Sequence, residues 1–144
     1  MEPEGIPCPC GNRGCLEQYV SAGALVRFAC ERIPGKTAKL LNAADVAELA
    51  KQGDAAALSA FDQLGYWLGI ALASLTNTLN IQAVIIGGGV GASFDLLQPS
   101  LQRNIQQRCF SQISEGFVII KSMLGDDAGL LGGAAMAVDR SIQA

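Results

Sequence analysis

Cys8-Pro9-Cys10-Gly11-Asn12-Arg13-Gly14-Cys15-Leu16-Glu17 sets three thiols within eight residues and interrupts them with a proline and two glycines. Such a run makes a poor helix and a poor strand, because proline removes a backbone donor and glycine costs backbone entropy. It can curl so that several sulfurs face one point, the arrangement that a soft metal such as zinc requires. A structural zinc site takes four ligands, and this stretch offers three. The chain contains no histidine, and the two other cysteines, Cys30 and Cys109, lie far away in sequence. The competing reading is a loop of free or disulfide-paired thiols. A secreted disulfide scaffold is smaller and denser in cysteine, no signal-peptide pattern is present, and Cys8 and Cys10 are too close to pair comfortably with each other. The spacing favours metal ligation by Cys8, Cys10 and Cys15.

The 144 residues suit one domain or a piece of one. Half are hydrophobic, enough to bury a sizeable core, and 10 basic against 13 acidic side chains leave a net charge of −3. No basic run suggests nucleic-acid binding by this segment. Five cysteines without a secretion signal suit a reducing cytoplasm. The longest apolar stretch, Leu64 to Leu79, is broken by Ser74, Thr76, Asn77 and Thr78, and it reads as a buried core helix rather than a membrane span.

Residues 1–15 read as irregular. From Leu16 to about Arg32, apolar residues recur at helical spacing, as one helix or as two short ones because Gly23 weakens the middle, and Pro34-Gly35 ends the run. Asn42 to Gln52 reads as a short helix, with Asp45 at its positive end and Gly53 suited to its C-terminal cap. Asp54 to about Leu79 reads as a long helix buried on most sides. In it Gly65 and Gly69 would admit a close neighbour, either within the domain or from another subunit. Gln82 to Ile86 reads as a buried strand that ends in the glycine loop Gly87-Gly88-Gly89-Val90-Gly91. A helix from Asp95 to about Cys109 follows, with Pro99 tolerable only near its first turn. The strand Phe117–Lys121, a turn at Gly125-Asp126-Asp127 and a helix from Ala128 to about Ser141 complete the order.

The final part is thus a βαβα unit with parallel strands and a right-handed crossover. Two such strands are too few for a stable sheet. A glycine loop after a strand lets a ligand approach the backbone, and the following helix terminus favours anionic groups. Gly87–Gly91 is neither a P-loop nor a dinucleotide fingerprint, and on its own it reads equally as a tight structural turn. With the turn at 125–129 it marks one edge of a cleft at adjacent strand ends. Asp126 and Asp127 read as solvated or capping carboxylates rather than catalytic ones. Glu17, two residues beyond the last thiol, suits either a helix cap or a partner for ligand hydroxyls.

Taken together, Cys8-x-Cys10-Gly11-x-x-Gly14-Cys15-x-Glu17 resembles the zinc motif of the ROK family, the bacterial repressors and sugar kinases related to glucokinase. Ile85-Ile86-Gly87-Gly88-Gly89-Val90 resembles its nucleotide-side glycine motif, and residues 125–135 resemble its closing segment. The likeness covers essentially the whole chain in the same order. It implies the helix-rich C-terminal portion of a ribonuclease-H-like, actin-type sugar-kinase fold, of α/β class. In that reading residues 1–17 are a zinc loop, 18–80 a helical part and 81–144 the βαβα part.

The resemblance implies zinc on Cys8, Cys10 and Cys15, with an upstream histidine as the family's fourth ligand. It implies that Glu17 bonds sugar hydroxyls, and that Gly87, Gly88 and Gly89 border the adenosine of ATP, which is used with magnesium. The phosphate loop and the catalytic aspartate belong to the family's N-terminal lobe, so no catalytic residue is expected among these 144, and the chain alone is expected to be inactive. The implied parent transfers phosphate from ATP to a hexose or amino sugar. The alternative is the sugar-sensing and dimerisation lobe of a ROK transcriptional repressor, and a plain zinc-stabilised interaction domain ranks last. A cytoplasmic homo-oligomer is expected, since the short sheet leaves an apolar face and a strand edge to cover.

Overall fold

The computed structural model describes residues 2–32 and 41–142; the expected stop at Pro34-Gly35 lies outside the described residues. Helices α1 (Glu17–Val20) and α2 (Ala22–Cys30) divide the run in two, the split that Gly23 suggested. The break falls at Ser21 rather than Gly23. Ser21 is extended, with ψ 168°, and its hydroxyl accepts the Ala24 amide at 3.2 Å, so it caps α2.

Helix α3 (Ala43–Lys51) opens with a reciprocal capping box. The Asn42 side chain accepts the Asp45 amide at 3.0 Å, and the Asp45 carboxylate accepts the Asn42 amide at 2.9 Å. Gly53 (φ 87°) turns the chain. Asp54 then caps α4 (Ala55–Leu79) by accepting the Ala57 amide at 2.8 Å. Asn80 ends α4 in the left-handed region at φ 53°, a conformation that asparagine tolerates better than most side chains.

Strand β1 (Ala83–Ile86), the single-turn helix α5 (Gly88–Gly91) and helix α6 (Phe94–Arg108) follow. Then come α7 (Ser111–Ser114), strand β2 (Val118–Lys121), a 3₁₀ turn at Gly125–Asp127 and helix α8 (Ala128–Ile142). The glycine run is therefore mostly helical rather than an open loop. Pro99 sits in the second turn of α6, deeper than expected. It and Asp95, whose carbonyl loses its helical partner, are both exposed, so water can satisfy that group.

The core lies between α4 and α6, with α2 and α3 closing it. Phe61, Leu64, Leu97, Leu101, Ile105 and Val46 are fully buried there. Truncating any of these leucines to alanine costs about 2–5 kcal/mol. Gly65 and Gly69 form the closest approach between the two helices. A Cβ on Gly65 would lie 2.6 Å from the Ser100 Cβ, and one on Gly69 would lie 2.5 Å from that of Asn104. Both glycines thus serve packing inside the domain. At the far end the Asn77 amide clamps the exit of α6, donating to the Arg108 carbonyl at 2.9 Å and accepting the Phe110 amide at 3.1 Å.

The two strands pair in parallel, with Val84 opposite Ile119 and Ile86 opposite Lys121. Val84, Ile86 and Ile119 rest on the core. The alternate residues Ile85, Val118 and Ile120 are exposed, so the sheet is covered on one face and the expectation of fully buried strands does not hold. The end of α4 departs from expectation in the same way, because Leu75 and Leu79 are exposed. Helix α8 meets the 3₁₀ turn, and Leu130, Leu131, Met136 and Val138 on it are exposed.

Candidate functional site

The thiol stretch folds as a tight hairpin. Pro7 bridges Arg13 in antiparallel fashion, the Cys8 amide donates to the Asn12 carbonyl at 2.8 Å, and the Gly11 amide returns to the Cys8 carbonyl at 3.0 Å. Gly11 (φ 93°) and Gly14 (φ 64°) make the two reversals. Gly14 has a second constraint, because a Cβ there would fall 1.6 Å from the Glu2 carbonyl oxygen.

This backbone brings the sulfurs of Cys8, Cys10 and Cys15 within 4.8 Å of one another. The Cys10 and Cys15 sulfurs are 3.5 Å apart. A tetrahedral zinc–thiolate site with bonds of about 2.3 Å has sulfur–sulfur edges of about 3.8 Å, so the donor set fits a metal of that kind. Among the described residues this is the one group of three or more candidate ligands that converges. The Gln18 side-chain amide donates to the Cys8 sulfur at 3.7 Å, which ties the loop to α1.

The thiols differ in acidity. The Asn12 backbone bond, with help from the Cys8 and Cys15 side chains, lowers Cys10 from its ordinary value. Bonding with Cys10 and then Cys8 pushes Cys15 up to about 11. Of this pair, Cys10 therefore takes a negative charge more readily than Cys15.

Glu17 is the first residue of α1 and is exposed, its carboxylate at the positive end of a short helix. The glycines lie elsewhere. Gly87 and Gly88 line a small cavity of about 110 Å³ with Lys121, Ser122 and Gly125. The glycine turn and the 3₁₀ turn therefore do share one edge. Gly89 opens instead on a larger cleft of about 500 Å³, whose other walls include Ala44, Ala47, Glu48, Lys51 and Phe61. Glu17 lies on neither. The contribution of α3 to this cleft was missed from sequence, since an alanine-rich amphipathic helix carries no ligand signature. Asp127 is exposed, in keeping with a solvated turn carboxylate.

The family model described as "ROK family" matches residues 1–140. The chain belongs to the ROK family. It is 37% identical over 142 residues to a glucokinase of Halalkalibacterium halodurans, covering 91% of this chain and 43% of that protein. It is also 33% identical over 135 residues to the xylose repressor of Bacillus subtilis, covering 94% of this chain and 34% of that one. A crystal structure of a ROK family glucokinase from Streptomyces griseus, in complex with glucose and AMPPNP, superposes with a TM-score of 0.78 at 30% identity. That match covers 94% of this chain and 48% of the other. The ROK chain thus spans less than half the length of each of these relatives, and its relatives include both enzymes and regulators.

Proposed function

We propose that this chain forms the nucleotide- and sugar-facing C-terminal part of an ATP-dependent hexose or amino-sugar kinase with a ribonuclease-H-like fold. The observation that carries the reading is the cleft of about 500 Å³ between Gly89 and α3. It opens beside the glycine turn that follows β1, and ligands of α/β sheets bind outside the carboxyl ends of strands. Its alanine and phenylalanine walls suit a flat apolar base. Asp45, Glu48, Lys51 and Ser93 add polar and charged groups to its lining.

In this reading Gly87, Gly88 and Gly89 border the adenosine of ATP, which is bound with magnesium. Residues 1–17 hold structural zinc through Cys8, Cys10 and Cys15. The loop fixes the start of α1, and with it Glu17, which bonds sugar hydroxyls. The helical part (18–80) and the βαβα part (81–144) form the two walls of the nucleotide site. None of the 144 residues is assigned the role of catalytic base, so the chain by itself phosphorylates no sugar. The protein is cytoplasmic and self-associates. Among the described residues no helix is long and apolar enough to cross a membrane.

The test is calorimetric titration of the chain with AMPPNP and magnesium. A Cβ at Gly89 meets nothing within 4 Å and Gly89 lines the cleft, so a leucine there is expected to occupy it. Saturable binding that Gly89→Leu abolishes supports the reading, and absence of binding by the folded wild-type chain overturns it. The likeness to the xylose repressor favours one second reading, a sugar-sensing and dimerisation lobe of a regulator. Sugar binding without any nucleotide binding would select it.

A further inference from the structure

The three thiols of the loop are not equivalent. Cys8 is buried and receives the Gln18 amide on its sulfur. Cys10 is exposed, Cys15 is half-buried, and their sulfurs stand 3.5 Å apart. The four residues between them are Gly11-Asn12-Arg13-Gly14, and the two glycines at positive φ fold the segment back on itself. The segment is open at Gly11, where a Cβ would meet nothing within 4 Å, and is packed against Glu2 at Gly14. A disulfide has its sulfurs about 2.05 Å apart. The pair therefore needs to close by about 1.5 Å, a movement within reach of side-chain rotation at the exposed Cys10.

We propose that Cys10 and Cys15 form a hydroperoxide-sensitive dithiol–disulfide pair that leaves Cys8 reduced. The exposed Cys10 thiolate attacks one oxygen of the peroxide; an S–O bond forms, the O–O bond breaks, and hydroxide leaves. Cys10 has lost two electrons and carries a sulfenic acid. The Cys15 sulfur then attacks the Cys10 sulfur. The S–S bond forms, the S–O bond breaks, and the departing hydroxide takes the Cys15 proton as water. In sum, two thiols and one hydrogen peroxide give one disulfide and two waters.

This goes beyond metal ligation, since the pair needs only the sulfur separation. It also bears on it. Two sulfurs joined to each other cannot both serve as thiolate ligands, so the disulfide and a metal held by all three thiols exclude one another. The Cys15 carbonyl accepts the Gln18 amide at 3.0 Å, which joins the backbone of the loop to the first turn of α1, where Glu17 sits.

The experiment treats the full reduced chain, stripped of metal with EDTA, with stoichiometric hydrogen peroxide. Remaining thiols are then alkylated and mapped by mass spectrometry. The expected product joins Cys10 to Cys15, with Cys8, Cys30 and Cys109 alkylated. In Cys15→Ser, Cys10 is expected to stop at a sulfenic acid that dimedone traps, with pair formation lost. Pairing through Cys8, or equal oxidation of all five thiols, would overturn the proposal, and the wild-type map decides this even if the variant misfolds. Repeating the treatment after zinc loading separates the two readings. Protection by zinc supports both. Formation of the Cys10–Cys15 pair at an unchanged rate supports the pair and removes the three-thiol metal site.

Discussion

The Ile6 amide donates to the Tyr19 hydroxyl at 3.0 Å, and this bond fastens the thiol hairpin to the helical layer. The Tyr19 ring lies 4.5 Å from that of Trp67, centroid to centroid, so one side chain joins loop, α1 and α4. Tyr19→Phe keeps the ring packing and leaves the partly buried Ile6 amide without its acceptor. The expected loss is about 1 kcal/mol of stability. Because the hairpin that carries Cys8 is loosened, weaker metal binding is expected too. Urea unfolding and a competitive zinc titration on the same variant check both.

Gly65 and Gly69 make opposite demands from Gly23, although all three lie in helices. At the first two, an added methyl meets Ser100 or Asn104 Cβ atoms at 2.6 and 2.5 Å, so α6 must move away. Gly65→Ala and Gly69→Ala are each expected to destabilise by about 1–3 kcal/mol. Gly23 is exposed, and its nearest neighbour for such a methyl is the Ser21 hydroxyl at 3.7 Å. Gly23→Ala is expected to stabilise by up to about 1 kcal/mol through helix propensity. Thermal melts of the three variants side by side would show the sign change.

The unequal acidities of Cys10 and Cys15 predict an order of reaction. In the metal-free chain Cys10, held below its ordinary value, alkylates first, while Cys15 stays protonated until the pH approaches about 11. The linkage signs are opposite. A thiol raised in the folded state stabilises below its unfolded pKa and loses that contribution as pH rises through the folded one. A lowered thiol stabilises above its unfolded pKa and loses the contribution as pH falls through the folded one. The Cys10 contribution is present above about 9 and lost as pH falls, while the Cys15 contribution is present below about 9 and lost as pH rises towards about 11; the two windows adjoin without cancelling, and site-resolved iodoacetamide rates assign each to its thiol directly. Equal rates for Cys10 and Cys15 between pH 7 and about 9 would contradict the hydrogen-bonded arrangement.

Much of this was legible in the residues. The cysteine spacing foretold three converging sulfurs, because proline and glycine left the stretch few other conformations. The turns at Gly87 and Gly125 come together because parallel strands deliver both to the same end. Other features were hidden for physical reasons. Ser21 outweighed Gly23 as the helix break because a side-chain acceptor satisfies an amide that a glycine only leaves flexible. The sheet's exposed face was not readable from Val84-Ile85-Ile86, since a β-branched run has the same composition whether one face or both are covered. The wall that α3 lends to the cleft depends on tertiary placement alone.

That open face carries the last expectation. Ile85, Val118 and Ile120 point away from the core and are 66%, 51% and 44% exposed. The register sets Ala83 opposite Val118 and Ile85 opposite Ile120, so they form one contiguous apolar patch beside a two-stranded edge. A face of this kind in water favours burial against another surface. The chain alone is expected to self-associate with rising concentration, read by size exclusion with light scattering. Ile85→Lys places a charge where little packing is lost, so the fold should survive with a change of about 0.5 kcal/mol, the usual range for surface sites. The same substitution puts an unpaired ammonium into any interface built on this face, and monomer should then dominate. A wild-type chain that stays monomeric at high concentration, or an Ile85→Lys variant that associates as before, would remove this face as the contact.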